Sequence, residues 1–492
     1  MIGTAGLVDR ATALFLEWRG REPADVSPVA GDGSVRRYWR FRDDDGATAL
    51  AAYGPDRDEN RAFVSFSRTF REIGLPVPEI YAYDEEIGVW LLEDLGDVTL
   101  FEALKEVRGA GDDAFPEAML PLYRRVLDEL PRFQIEGGRA IDFDVAYPRA
   151  AFDRQSILWD LNYFKYHFLK LAHIPFNEAR LETDFDRLAG FLVSTETDHF
   201  LYRDFQSRNV MVREGADGPE PWFIDYQGGR RGALQYDVAS ILYDAKANLD
   251  DELRAGLLRH YLEAVGHHHP VDRDAFLEVW PGYVLVRILQ ALGAYGYRGF
   301  FERKPRFLQS VPYAARNVAG LLEAGLPLDV PELTTALERI RDRWVADEGP
   351  VSAADRLTVS IGSFRFSGGY PQDTSGHGGG YVFDCRGIPN PGREPAYRRL
   401  TGLDRPTIEF LEARPEVEEF WGRIRELVDA HVTEYRRRGF SALSVHFGCT
   451  GGQHRSVYFA ERLARHLRAG HPEVEVSLVH RESADWPRRD DA

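Results

Sequence analysis

The spacing of apolar and polar positions changes character twice along the chain. Between residues 27 and 95, short apolar runs are broken by Gly, Pro and Asp, which predicts strands and turns with one helix at Asp58–Ile73. Residues 100–345 carry mostly helical spacing. The exception is 209–226, where Asn209-Val-Met-Val212 and Trp222-Phe-Ile-Asp225 read as two strands around the turn Glu214–Pro221. Leu321–Ala346 reads as one helix, ended by Asp347-Glu-Gly-Pro350 because Gly and Pro do not continue a helix cheaply. Leu357-Thr-Val-Ser-Ile-Gly opens a new strand, and an apolar run at 444–448 leads through a Gly-rich turn into a helix at Val457–Arg468.

This pattern predicts a small β-rich lobe at about 1–97, a large helical lobe at about 98–346, a linker at 347–356 and a separate α/β domain at 357–485. A two-lobed layout places ligands in the cleft between lobes. No internal repeat is visible, and the low-complexity stretch is Gly376-His-Gly-Gly-Gly380.

Composition narrows the class. A 492-residue chain that is 44% hydrophobic and 12% aromatic has core material for several domains, which excludes wholesale disorder. No apolar run approaches the ~18 residues of a membrane helix, and the N-terminus lacks the basic segment of a signal peptide. Two cysteines, Cys385 and Cys449, exclude a disulfide framework and fit a cytoplasmic location. The net charge of −18 is uneven: residues 351–492 hold 20 basic and 20 acidic side chains, so residues 1–350 carry all of it. That argues against non-specific nucleic-acid binding by the larger part.

Candidate chemistry centres on Tyr202-Arg-Asp-Phe-Gln-Ser-Arg-Asn209. An Asp followed five positions later by Asn has the spacing of a kinase catalytic loop, with Asp204 at the substrate hydroxyl and Asn209 on Mg²⁺. Asp225, at the end of the second strand, is the expected second metal ligand, and Asp237 is expected to cap its helix and brace the loop.

These residues, with Gly31-Asp-Gly-Ser-Val-Arg-Arg-Tyr-Trp-Arg40, Leu91-Leu-Glu-Asp-Leu-Gly-Asp97 and Leu289-Gln-Ala-Leu-Gly-Ala-Tyr-Gly-Tyr-Arg-Gly299, make residues 1–345 resemble the aminoglycoside-phosphotransferase-type kinases. Within them, the chain is similar to amino-sugar kinases that act on the anomeric hydroxyl of N-acetylmuramate and N-acetylglucosamine in cell-wall sugar recycling. The resemblance implies a two-lobed, protein-kinase-like α+β fold, ATP and Mg²⁺ as cofactors and an amino-sugar substrate. It also implies ATP contacts from Gly31, Asp32, Gly33, Ser34, Arg36 and Arg37 over the phosphates, and from Glu93 and Leu95 at the adenine. The strand-like stretch Thr48–Tyr53 lacks the usual Lys, so Arg36, Arg37 or Arg40 supplies that charge, or Mg²⁺ carries more of it. Asp160 and Asn162 are candidate sugar contacts, beside aromatics equally suited to core packing. His267-His-His269 reads as a solvated turn.

The second constellation is Phe447-Gly-Cys-Thr-Gly-Gly-Gln-His-Arg-Ser-Val457. A strand, a Gly-rich turn and a helix start form an oxyanion cradle in which backbone N–H groups face the anion and Arg455 clamps it. Cys449 and Arg455 also have the Cys-x5-Arg spacing of cysteine phosphatases, although Gly448 replaces the usual preceding His. With Ser363-Phe-Arg-Phe-Ser and Tyr381-Val-Phe-Asp-Cys-Arg-Gly-Ile-Pro-Asn-Pro391, residues 357–482 resemble the C-terminal domain of RapZ-type RNase adaptor proteins. The resemblance implies amino-sugar-phosphate binding at Cys449, Thr450, Gly451, Gly452, Gln453, His454, Arg455 and Ser456, with Asp384, Arg386 and Asn390 nearby. RNA, an RNase and a second copy of the chain are further implied partners, with no membrane. A buried ion pair is an equal account of Asp384 and Arg386. Three functions stand open: a sugar kinase with a sugar-phosphate sensor, a metabolite-sensing adaptor, and a kinase joined to a Cys449-dependent phosphatase.

Overall fold

The computed structural model describes residues 4–29, 36–108, 114–216, 218–345, 357–371, 380–437 and 440–486. The expected Gly31–Ser34 phosphate turn, the linker at 347–356 and His377 lie outside the described residues. The chain divides into two compact units, Met1–Glu302 with Ser310–Asp347, and Arg303–Gln309 with Glu348–Ala492.

The first unit begins with α1 (Thr4–Arg19), β1 (Asp25–Val29), β2 (Arg37–Arg42), β3 (Thr48–Tyr53), α2 (Arg57–Glu72), β4 (Ile80–Asp84) and β5 (Val89–Glu93). The five strands form an antiparallel sheet in the order β1-β2-β3-β5-β4. β5 is apolar without alternation because helices cover both faces: Val89 and Leu91 join the core under α1, while Trp90 and Leu92 join the core under α2. α2 starts where Asp56 accepts the N–H groups of Asp58 and Glu59, and it buries Phe63, Phe66 and Phe70 at helical spacing.

The helical lobe contains α3 (Leu100–Arg108), α4 (Leu120–Pro131), α5 (Gly138–Ala140), α6 (Arg154–Phe164) and α7 (Glu178–Leu192). The short strand β6 (His199–Leu201) follows, then the hairpin β7 (Val210–Gly215) and β8 (Gly218–Phe223), and β9 (Arg230–Gly232), which pairs with β6. α8 (Gln235–Leu242), α9 (Asp251–Gly266), α10 (Arg273–Gly296), α11 (Val311–Ala324) and α12 (Pro331–Trp344) complete it. Three expectations change. The hairpin is longer and its turn tighter than Glu214–Pro221, and Asp225 lies two residues beyond the strand end. The single helix expected at Leu321–Ala346 is two helices, because Gly325 takes φ +86° and Pro331 starts the next. One stretch, Arg273–Phe301, is long and apolar enough to cross a membrane, against the expectation that none is, but it is a core helix with 61% of its apolar window buried.

The second unit contains β10 (Thr358–Arg365), β11 (Gly380–Asp384), α13 (Arg405–Glu412), α14 (Pro415–Arg437), β12 (Ala442–Cys449), α15 (Arg455–Gly470) and β13 (Glu475–His480). Its four strands are all parallel, in the order β11-β12-β10-β13. One core joins Val359, Val445 and Phe447 of the sheet to Trp421 and Val428 of α14 and to Phe459 and Leu463 of α15. In such sheets ligands bind beyond the carboxyl ends of the strands. β12 ends at Cys449, where the Gly-rich turn begins.

Candidate active site and anion cradle

Asp204, Asn209 and Asp225 come together through one hydrogen-bonded hairpin. The Asn209 amide donates to the carbonyl of Asp204 (2.8 Å) and to Asp225 Oδ2 (3.1 Å). Gln227 donates to the other Asp225 oxygen at 2.7 Å, and the buried Tyr202 hydroxyl donates to the Ile224 carbonyl at 2.6 Å. Asp225 and Arg203 both adopt positive φ, +70° and +84°. Left-handed backbone at a non-glycine residue costs roughly 1–3 kcal/mol and persists where surrounding structure imposes it. Burial pushes the Asp204 carboxyl above the ordinary range; Arg203 opposes this, and the charge of Asp225 adds to it. The Asn209 amide oxygen and the Asp225 carboxylate are hard oxygen donors, so their chemistry fits Mg²⁺.

Arg203, missed in the sequence reading, and Asp237, expected there, support this loop. Arg203 forms a bidentate pair with Asp160 (2.6 and 2.7 Å), donates to the Tyr236 hydroxyl and lies over the ring of Phe152. Asp160, expected at the sugar, is thus a buried counter-ion, and the Asn162 amide turns back to its own helix at the Leu158 carbonyl (2.9 Å). Asp237 accepts the N–H groups of Tyr202 (2.8 Å) and Arg203 (3.0 Å). It braces the loop but does not cap α8, whose first turn has no side-chain cap.

Asp237 also gives a pH signature. Burial pushes its carboxyl up to about 7, against the lowering effect of the two backbone donors. A carboxyl raised in the folded state from about 4 in the unfolded chain stabilises the fold below pH ~4. That stabilisation is lost as pH rises from ~4 through ~7, by up to about 4 kcal/mol. Stability measured by denaturant titration across this window should therefore carry a downward slope that is flatter in Asp237→Asn.

The arginines expected to stand in for the small-lobe lysine all have partners within that lobe. Arg40 is committed to Asp94 (2.7 Å) and Asp97 (2.8 Å), and Arg37 donates to the Thr4 hydroxyl at 2.7 Å. Arg36 is buried between the rings of Phe63 and Trp90 and paired with Glu59 of α2 at 3.1 Å. Arg36 stands just before β2 rather than on β3, and its pair with Glu59 ties the start of β2 to α2. Glu59 carried no sequence signal beyond its place in an amphipathic helix. Of the residues expected at the adenine, Leu95 is buried, whereas the Glu93 carboxylate is held by Arg213 at 2.7 Å and its backbone N–H donates to the Glu79 carbonyl at 2.9 Å.

In the second unit, the Cys449 thiol accepts the Gly452 N–H at 3.2 Å and lies 3.1 Å from the Ser456 hydroxyl. Burial raises the thiol, but donors from Ser456, Gly451 and Gly452 outweigh it and hold it below the ordinary thiol range. Gly452 takes φ +66°, and a Cβ there would meet Glu482 Oε2 at 2.6 Å. Arg455 does not project as a free clamp. It donates to the carbonyls of Arg386 (3.0 Å) and Ile388 (2.7 Å) and to the Thr450 hydroxyl (3.3 Å), fixing the loop. His454 and Gln453 are tied to the carbonyls of Tyr397 and Leu400, while Thr450 and Gly451 stay exposed at the start of α15. Asp384 and Arg386 pair at 2.7 Å, but the pair is half exposed, not a buried structural one. Asn390 accepts the Gly392 N–H at 3.2 Å.

Comparison with known proteins matches residues 25–273 to the phosphotransferase enzyme family and residues 357–484 to the RapZ C-terminal domain. Curated relatives are named nucleotide-binding protein. The one from Halorhodospira halophila is 47% identical over 140 residues, covering 28% of this chain and 46% of the relative. The one from Alkalilimnicola ehrlichii is 43% identical over 143 residues, covering 29% and 45%. The one from Methylobacillus flagellatus is 32% identical over 279 residues, covering 51% and 96%. Apart from the last, the chain spans about half the length of these relatives. Among solved structures, choline kinase LicA from Streptococcus pneumoniae is 14% identical with a TM-score of 0.42, covering 64% of this chain and 99% of that one. A microcompartment-associated aminopropanol kinase is 13% identical with a TM-score of 0.45, covering 68% and 99%.

Proposed function

This chain belongs to the phosphotransferase enzyme family, is a kinase and carries a RapZ C-terminal domain, and on that premise we propose that it transfers the γ-phosphoryl group of ATP to an amino-sugar hydroxyl. The observation that carries the reading is the Asp204, Asn209 and Asp225 set on one hairpin. Asp204 accepts the proton of the attacking hydroxyl, and burial raises its carboxyl above the ordinary range, the direction that strengthens a base. Bound at Asn209 and Asp225, Mg²⁺ supplies charge neutralisation for the triphosphate. Arg36 brings a fixed positive charge from the small lobe, oriented by Glu59. Arg203 and Asp237 hold the loop that presents Asp204.

An N-acetylated amino sugar, N-acetylmuramate or N-acetylglucosamine at the anomeric position, is the proposed substrate, by the resemblance of the motifs. The C-terminal cradle is proposed to sense an amino-sugar phosphate through the exposed backbone of Thr450 and Gly451 and the α15 N-terminus. ATP turnover with N-acetylmuramate, N-acetylglucosamine, glucosamine and an aminoglycoside tests the substrate. Turnover confined to the N-acetylated sugars is expected, and turnover with none of the four overturns the reading. For the cradle, glucosamine 6-phosphate should change the wild-type rate several-fold, and Arg455→Ala should abolish that response by releasing the loop carbonyls it holds.

A further inference from the structure

Outside the kinase loop, three side chains from two segments of the chain converge without a part in any step above. They are Glu196, His199 at the head of β6 and His269 in the turn between α9 and α10, and their donor atoms all lie within 4.8 Å of one another. His199 Nε2 is 3.4 Å and His269 Nε2 3.8 Å from the same Glu196 carboxylate oxygen, Oε1, with the two rings 5.1 Å apart. The histidine run expected to be a solvated turn is therefore divided. His267 is exposed, His268 Nδ1 faces Glu136 at 2.9 Å, and His269 turns to this cluster.

A second, independent observation singles out the same place. His199 is only 6% exposed, yet its Nε2 makes no hydrogen bond, because its approach to Glu196 lacks the geometry of one. A buried polar atom left unpaired costs roughly 1–3 kcal/mol, so an ion pair alone does not account for the arrangement. Glu196 and His199 open onto a cavity of about 330 Å³ that is also lined by Thr195, Pro270 and Asp272.

We propose that Glu196, His199 and His269 bind a borderline transition-metal dication of the Zn²⁺ class, with a fourth position left to water in that cavity. Two imidazoles and a carboxylate are a three-ligand set that leaves a tetrahedral zinc one open site. Bonds of ~2.0–2.1 Å place tetrahedral donors about 3.3–3.5 Å apart. The 3.4 and 3.8 Å separations reach that with small rotations of the two more exposed side chains, Glu196 and His269. The site has a mechanical consequence: His199 begins the strand that runs into Tyr202–Asn209, so an ion here ties the α9–α10 turn to the strand carrying the catalytic loop.

The test is a Co²⁺ titration of untagged, metal-free, full-length protein without nucleotide. One equivalent should give the visible absorption of a four-coordinate ion, and Zn²⁺ should displace it. His269→Ala, at a turn where the side chain is partly exposed, and Glu196→Gln should each weaken binding roughly ten-fold or more. Zn²⁺ should raise the melting temperature of the wild type but not of His269→Ala, and the metal-free variant should melt as the wild type does. Asp225→Asn should leave the absorption unchanged, which separates this site from the oxygen-donor site of the kinase loop. Absence of a four-coordinate spectrum, or one that persists in His269→Ala, overturns the proposal.

Discussion

Asp204→Asn lowers turnover by roughly 10²–10⁴-fold, the contribution of a positioned general base, while the KM for ATP stays close to that of the wild type. The asparagine keeps the shape of the side chain and removes its ability to take a proton. The carbonyl of Asp204, which receives the Asn209 amide, is backbone and survives the change. The pair Asn209 and Asp225, proposed to hold the metal, thus stays in place, and the loss falls on kcat. Steady-state kinetics with the preferred sugar checks this. A variant within a few-fold of wild-type kcat would mean that Asp204 only orients the hydroxyl, or that the substrate reacts without base assistance.

The second large effect is on stability. Arg203→Met leaves the Asp160 carboxylate buried without its bidentate partner. Removing one member of a buried pair costs about 3–5 kcal/mol, which corresponds to a fall of roughly 4–7 °C in melting temperature for a unit of this size. The double variant Arg203→Met with Asp160→Leu should recover most of that stability, since both charges are gone. Turnover should not return with it, because the pair with Asp160 also anchors the residue immediately before Asp204. Thermal melts of the two single variants and the double variant measure the coupling. A double variant no more stable than Arg203→Met would show that the pair is not the source of the loss.

How much of this was legible depends on the range of each interaction. The catalytic hairpin reads from sequence because Asp204, Asn209 and Asp225 lie within one short stretch and their spacing is dictated by a local fold. The β12–turn–α15 cradle reads for the same reason. Arg203 stood inside the motif, but its partner Asp160 is 43 positions away on α6, and no local periodicity links the two. Arg36 and Glu59 were likewise separated by two strands, so the choice among Arg36, Arg37 and Arg40 required seeing which guanidiniums were already taken. His269 was misread because a solvent-facing turn and a turn folded back onto a strand carry the same residues. The break at Gly325 was within reach, since Gly325 and Pro331 are ordinary stop and start signals, but helical spacing on either side masked them.

The role proposed for Arg36, in place of a lysine, has a practical side. The chain has five lysines, at 105, 165, 170, 246 and 304, and none in residues 1–97. Nucleotide probes that mark kinases by acylating the amine beside the phosphates need a nucleophilic ammonium side chain, and a guanidinium, protonated at all accessible pH, does not react with them. Surveys of nucleotide-dependent enzymes built on that chemistry would leave the small lobe of this protein unlabelled however well it binds its nucleotide. Displacement of a fluorescent nucleotide, which asks nothing of the side chain but charge, would register it.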